Sequence, residues 1–573
     1  MSGSPHTIAV ATGSGAYANP GEALSDALFG ARYISYNGIA RFEAQVEDTN
    51  LGLIVWPGGT LAETRPDRYG FDFDGLQNPA NNKPNLPEMM AIAVEKGAKL
   101  SVILPTVRYV GDPDSAASDV SAFMTDLLSG AYGPLPEELI FEIGSEYYAH
   151  LSDGVTSAAK QYAEVADAMI TEIASALTTP ASNPSGLDVT IAVQSGKTLA
   201  DDIDIRAELG AFAIDNVDML IHHRFAYQPQ GIDPRIAEYQ AVLDAWQAET
   251  GEEPELFVSA HNTVTVTRNG LLDDYIAWEA TLGNSVDPST VDLAGRTTTR
   301  FEDFWQDELD QIAYGQEHAA YILESFASYA ELGADAASLY GIDLEHPGRV
   351  SWRESGTDHR FIGADMLDML YESLDGTHVL TSDGDYDTQA PATTYGFENE
   401  DKLVIFVAAG EIAPGEVALS LTGLGSTYSQ VWAERLTASI DPDWMTTFGV
   451  ADNPAVDESP EAETYAYGLR TALTPALEGG EVTFTLGSPH EVVRLAFAKT
   501  ADGAAEIAGW SDGRATDLSG EALPPVLPGC GPLKDGMICL DYSEGEDLDL
   551  NALADAVGSG GGFALLLAML MLI

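Results

Sequence analysis

The chain has 573 residues, 45% of them hydrophobic, and sets 90 acidic side chains against 26 basic ones for a formal net charge of −64. Such a surface repels nucleic acid, whose binding rests on Lys and Arg contacts to phosphate, and it repels an anionic membrane for the same reason. It suits solubility in a medium where salt screens the charge, or a surface that gathers divalent cations.

Length alone suggests roughly two to four domains, and fewer if one is a long (β/α) barrel. The opening "MSGSPHTIAVATGSG" shows neither the basic region nor the apolar core of a secretory leader. Residues 1–25 are expected as an N-terminal segment whose "HTIAVAT" (6–12) offers a strand to a later sheet. Across 26–375 an apolar strand followed by an amphipathic helix recurs. The strands are expected at 28–36, 51–59, 99–106, 138–146, 188–196, 217–225, 255–263 and 336–343. Most are continuous apolar runs, as parallel strands buried on both faces require. Between them, 86–97 starts after Asn85, a good N-cap, and ends at Gly97, a good C′ residue. Residues 158–176 align Tyr162, Val165, Met169 and Ile173 on one face. Residues 316–333 align Ile322, Phe326 and Tyr329 and stop at Gly333. Eight such units predict a (β/α)8 TIM barrel. A doubly wound sheet is the alternative, but no Gly-rich phosphate loop follows the first strand.

The texture changes after about residue 375. "KLVIFVAAG", "EVALSLTGL", "YSQVWAERL", "EVTFTLG" and "HEVVRLAFAK" are expected as short alternating strands with Gly and Pro turns, which predicts an antiparallel β-sandwich over 376–499. Residues 500–573 are rich in Gly, Pro and acids and are expected as a tail with little core of its own. They hold the two cysteines, Cys530 and Cys539, whose spacing allows one small disulfide loop and matches no zinc site. The apolar "FALLLAMLMLI" (563–573) is shorter than the ~20 residues a bilayer span needs. It suits a C-terminal export signal, a tip for self-association, or a membrane-dipping end.

In a barrel of this kind the site lies at the C-terminal ends of the strands. Strand two supplies Trp56 and Glu63, and strand three Thr106, Arg108 and Tyr109. Strand four supplies Ser145, Glu146, Tyr147 and Tyr148, and strand five Gln194. Strand six supplies His222, His223, Arg224 and Tyr227, and strand seven His261 and Asn262. Strand eight supplies Tyr340, Asp343, Glu345 and His346. Alternation sends one ring of the His222–His223 pair into the site and the other into the wall. Aromatic rings that stack on pyranose faces, with amides and carboxylates for hydroxyls, suit a carbohydrate.

"IVWPGGTLAE", "FEIGSEYY" and "LFVSAHNT" resemble the retaining glycoside hydrolases of the clan A type, with their arabinofuranosidase-like, xylosidase-like and glucuronidase-like families. The resemblance covers about 25–500 and implies a (β/α)8 barrel followed by a β-sandwich. It implies an acid/base Glu after strand four, which Glu146 matches, with Ser145 where the family carries Asn. It implies a nucleophilic Glu after strand seven, where "VSAHN" puts Ala260. Glu345 and Asp343 are candidate substitutes, either of them open to an inverting route through water, and His261 is a candidate base.

"SDGDYD", with Asp383, Asp385 and Asp387, has the look of a structural Ca²⁺ loop, against the plainer reading of an acidic turn. No other cofactor is expected. Three functions stay open: a glycosidase with a relocated base, a glycan-binding barrel without turnover, and a surface-assembly protein reusing the fold. A glycan partner and an acidic surface suit an extracellular or cell-surface location.

Overall fold

In the computed structural model the described residues are 6–8, 18, 23–33, 46, 49–64, 84–179, 183, 186–226, 233–251, 253–263, 268, 270–293, 300–301, 303–305, 315–341, 362–380, 390–410, 415–420, 428, 430–440, 466–478, 481–510 and 514–517. The expectations for Tyr227, Asp343, Glu345, His346, the "SDGDYD" loop, the cysteines and the apolar C-terminal run fall outside them.

Strand β1 (His6–Ile8) comes first in the chain. The next eight are β2 (Gly30–Arg32), β3 (Leu53–Trp56), β4 (Lys99–Leu104), β5 (Leu139–Ile143), β6 (Thr190–Gln194), β7 (Met219–Ala226), β8 (Glu255–Thr263) and β9 (Ala336–Tyr340). Each lies within the span expected for it or within a residue of it. They pair in parallel in chain order, and β2 pairs with β9 through Ala31 and Leu339 to close the barrel. Leu53, Val55, Ile103, Ile140, Ala192, Met219, Ile221, Phe257 and Ala336 fill the interior. Their neighbours Ile54, Val102, Phe141, Val193, Leu220 and Val258 belong to the larger core under the helices. Burial on both faces is why these strands are written as continuous apolar runs.

The helices are α1 (Gly59–Thr64), α2 (Leu86–Lys96), α3 (Pro113–Leu128), α4 (Tyr147–His150), α5 (Ala158–Thr178), α6 (Leu199–Glu208), α7 (Ala211–Ile214), α8 (Asp233–Thr250), α9 (Leu272–Thr281), α10 (Gln316–Leu332), α11 (Ile362–Leu374) and α12 (Ala501–Ala508). Helix α2 opens on a capping box in which Asn85 Oδ1 accepts the Glu88 N–H at 2.9 Å and Glu88 accepts the Asn85 N–H at 2.8 Å. It closes on Gly97 at φ 65°. Tyr162, Val165, Met169 and Ile173 of α5 are fully buried.

The remaining strands are β10 (His378–Val379), β11 (Ala392–Glu398), β12 (Lys402–Ala409), β13 (Gly415–Ser420), β14 (Gln430–Ile440), β15 (Ala466–Ala472), β16 (Ala476–Glu478), β17 (Glu481–Leu486), β18 (Val492–Ala498) and β19 (Arg514–Asp517). The larger sheet runs β10-β11-β12-β18-β14-β15, with β19 also on β14. The smaller runs β1-β13-β17-β16, and β1 lies parallel to β13 with His6 opposite Val417. Ile405, Val407, Val417, Phe484, Leu495 and Phe497 form the core of the sandwich. Strands β12 and β18 are buried on both faces rather than alternating, because Val404, Phe406 and Ala496 join the barrel-side core with Phe326 of α10 and Leu370 of α11.

An ionic cluster lies within this packing. Arg494 donates to Glu434 at 2.6 Å and to Glu372 of α11 at 2.7 Å, and Arg470 reaches the same two carboxylates. Arg494 and Glu434 are fully buried.

Candidate active site

Strand β5 ends at Ile143, and the chain turns through Gly144 at φ 73°. A Cβ on Gly144 would meet Thr106 Oγ1 at 2.6 Å. Glu146 follows with φ 46° and ψ 47°, a left-handed conformation that costs a non-glycine residue about 1–3 kcal/mol. Gln194 of β6 holds it there by accepting the Glu146 N–H at 3.3 Å.

The Glu146 carboxylate meets His223 of β7, with Oε1 3.0 Å from Nδ1. The other side of that ring lies 2.9 Å from Ser259 Oγ on β8. Arg32 of β2 donates to Ser259 Oγ at 3.1 Å and to its carbonyl at 2.6 Å. Its second arm reaches Ser145 Oγ at 3.4 Å and Glu142 at 3.5 Å, and Ser101 donates to Glu142 at 3.1 Å. The result is a chain of polar groups from the buried Glu142 to Glu146, whose side chain is 28% exposed. Gly59 makes room for it, since a Cβ there would meet Ser145 Oγ at 2.6 Å.

Burial by itself would raise the pKa of Glu146. The His223 hydrogen bond and the charges of His223, Arg32 and His150 outweigh it and hold the carboxyl at about 2. Glu63 is a different kind of acid. It is buried and accepts from Thr106 N at 2.9 Å, Thr106 Oγ1 at 3.2 Å, Val107 N at 2.8 Å and Ser145 N at 3.0 Å. Desolvation raises its pKa against those donors. Its geometry is that of a brace tying the ends of β4 and β5 together.

The other expected residues divide between mouth and wall. Tyr148 is partly exposed beside Glu146, whose charge adds to burial in pushing the phenol up. Tyr340 is partly exposed, with Phe225 edge-on at 5.3 Å. Trp56 is 1% exposed and part of the core. Arg108 donates to the Ala62 carbonyl, and Tyr109 to Asp119 at 2.8 Å. Asn262 is enclosed, donating to the Tyr340 carbonyl at 2.9 Å and bonded to His318 of α10 at 2.7 Å. Arg224 lies near enough to Tyr329 for its charge to act on that phenol. His222 stacks on Tyr239 of α8 at 3.8 Å, so the ring that meets Glu146 is His223.

His261 packs against Tyr329 of α10 at 5.5 Å, and burial lowers its pKa to about 3. A bulge explains the placement. His222 is opposite Val258 but His223 is opposite Ala260, so Ser259 is an extra residue in β8. Alternation from Phe257 would aim His261 into the barrel; the extra residue shifts the phase and turns it toward the helices. Ser259 is thus the β8 side chain that meets the site.

Sequence reasoning passed over Arg32 and Ser259. A lone arginine inside the apolar run of β2 was the available signal for the first. A bulge leaves no mark in the pattern, so none existed for the second. Among the described residues no group of three or more His, Cys, Asp or Glu side chains is arranged to hold a metal ion, and no helix is long and apolar enough to cross a membrane.

A closed parallel eight-stranded barrel carrying an antiparallel sandwich is the fold of the clan A glycoside hydrolases, and the resemblance seen at the strand ends holds at the level of fold. The GH51 arabinofuranosidase from Xanthomonas axonopodis pv. citri matches with a TM-score of 0.51 at 13% identity, over 83% of this chain and 97% of that one. The family 51 α-L-arabinofuranosidase AbfB from Bifidobacterium longum gives the same values. The thermostable GH51 α-L-arabinofuranosidase from Thermotoga petrophila RKU-1 matches with a TM-score of 0.50 at 10% identity, over 86% of this chain and 100% of that one. No protein-family model and no curated protein matches the sequence.

Proposed function

We propose that the protein is a carbohydrate-active barrel that receives a glycan at the C-terminal ends of β5, β7 and β8, against Glu146 and Tyr148. The observation that carries this is the Glu146 carboxylate, partly exposed and held in a strained turn by Gln194 and His223. Ionised, it accepts sugar hydroxyls, and the Tyr148 ring supplies an apolar face beside it.

The same ionisation works against proton donation. A general acid must carry its proton at the working pH, and a carboxyl at about 2 does not. Retaining hydrolysis also needs a second carboxylate ~5–5.5 Å away. Of the other carboxylates here among the described residues, Glu142 is buried on Arg32 and Ser101, and Glu63 is occupied by backbone donors. Strand β8 presents the hydroxyl of Ser259. Glycan recognition without retaining cleavage is therefore the reading this geometry supports best. An extracellular or cell-surface setting goes with it.

One observation favours a second reading, inverting hydrolysis. Glu146 is coupled to a histidine that a bound sugar can displace, and once free of His223 its burial raises its pKa toward that of a working acid. Glu345, which follows β9 in the sequence, is then the base for water across a gap of ~6.5–9.5 Å. Calorimetric binding and reducing-end release on one glycan panel, for wild type and Glu146→Gln, separate the two. Binding without release in both proteins supports recognition. Release by wild type alone establishes hydrolysis with Glu146 as the acid. A panel with neither binding nor release overturns the carbohydrate reading.

A further inference from the structure

A cavity of about 360 Å³ lies beside the mouth, between the start of α6 and one face of α8. Its walls include Lys197, Thr198, Leu199, His222, Glu238 and Tyr239. His222 is 5% exposed, yet its Nε2 has no hydrogen-bond partner among the described residues. The other ring nitrogen defines what Nε2 is. Ser195 spends its hydroxyl on the Ile221 carbonyl at 2.9 Å, so His222 Nδ1–H donates to Ser195 Oγ at 2.8 Å. Nε2 is then the lone-pair side of a ring that burial keeps neutral, with a pKa of about 3. A buried acceptor without a donor is costly; Nε2 has almost no accessible surface of its own, so a ligand that brings the donor relieves it by shifting the cavity wall.

The cavity shares a wall with the mouth. Lys197 Nζ lies 5.2 Å above the ring of Tyr148, and the Lys197 N–H donates to Tyr147 Oη at 3.5 Å. Tyr148 in turn stands beside Glu146. The cavity walls carry an ammonium, a carboxylate, a hydroxyl and the apolar sides of Leu199 and Val242. Donors and acceptors interleaved with apolar patches match the surface of a sugar ring, and the volume lies at the small end of ligand pockets.

We infer that this cavity is a second subsite for the glycan held at the mouth, taking a further sugar unit whose hydroxyl donates to His222 Nε2. The inference rests on the carbohydrate reading. Its test is calorimetric titration of the full chain with arabino- and xylo-oligosaccharide ladders of one to six units. Affinity rises about tenfold when the ligand becomes long enough to reach the cavity. That gain disappears in His222→Phe and in Leu199→Trp, while the affinity for short ligands is unchanged. Leu199 is 50% exposed, so the second variant fills the cavity without opening the core. A gain that survives Leu199→Trp, or no gain in wild type with short ligands still bound, overturns the subsite and leaves the mouth intact. If no member of either ladder binds, the subsite falls together with the reading beneath it.

Discussion

His223→Ala removes the hydrogen bond and charge that hold Glu146 ionised, and the consequence can be worked out in advance. The carboxyl now titrates at about 2 against an ordinary 4.5. Each pKa unit corresponds to about 1.36 kcal/mol, so the depressed carboxyl stabilises the fold by about 3 kcal/mol, with His223 the largest favourable partner. The sign follows from the depressed folded-state pKa. The contribution is complete above about 4.5 and is lost as pH falls toward 2. Wild type should therefore exceed the variant in stability by a margin that is present at pH 5 and shrinks below pH 4.5. Losing the ring also costs Ser259 a partner, but that loss does not vary with pH and appears as a constant offset. Thermal unfolding of both proteins from pH 2 to 7, with Glu146 followed by carboxyl NMR, measures both quantities. A margin that is flat across pH 2–7, or a Glu146 pKa that does not rise in the variant, refutes the reasoning.

Other perturbations have equally definite outcomes. Glu434→Ala leaves Arg494 and Arg470 sharing Glu372 in a buried setting and should cost about 3–5 kcal/mol by calorimetry; a loss below about 1 kcal/mol would show the cluster to be dispensable. Arg32→Met strips the buried Glu142 of its cation and should destabilise the barrel by a similar ~3–5 kcal/mol, with binding lost at the mouth as Ser259 and Ser145 lose their donor. Gly144→Ala and Gly130→Ala form a matched pair, since both positions have positive φ but only Gly144 has Thr106 within 2.6 Å of a new Cβ. Unfolding midpoints should fall further for Gly144→Ala by an amount worth about 1–3 kcal/mol of overpacking, and equal losses would mean that backbone strain alone matters.

The barrel could be found in the sequence because strands buried on both faces leave apolar runs at a regular spacing, and because helix ends such as Asn85 and Gly97 are written in residue types with one conformational use. Glu146 could be found because an acid at the end of such a run is conspicuous. The partners of Glu146 were harder. Alternation says that His222 and His223 face opposite ways, but not which faces in; that depends on the phase of β7 within the closed barrel. His261 was expected at the mouth because the sequence carries no trace of the extra residue at Ser259, and one inserted residue reverses every later side chain on the strand. Strands β12 and β18 lack clean alternation for a different reason: the barrel helices cover a face that an isolated sandwich would leave to water.

The pairing of β1 with β13 also bears on the order in which the molecule is built. About 400 residues separate Ile8 from Gly415, and the whole barrel lies between them. At roughly 5–20 residues per second, a ribosome needs about 20–80 s to bridge that gap. Strand β1 emerges before the barrel yet is paired only after it, and the smaller sheet cannot reach its final width until the barrel has been made. A segment kept waiting so long is safest when it is short, since an unpaired edge recruits other chains in proportion to its length. Strand β1 has three residues.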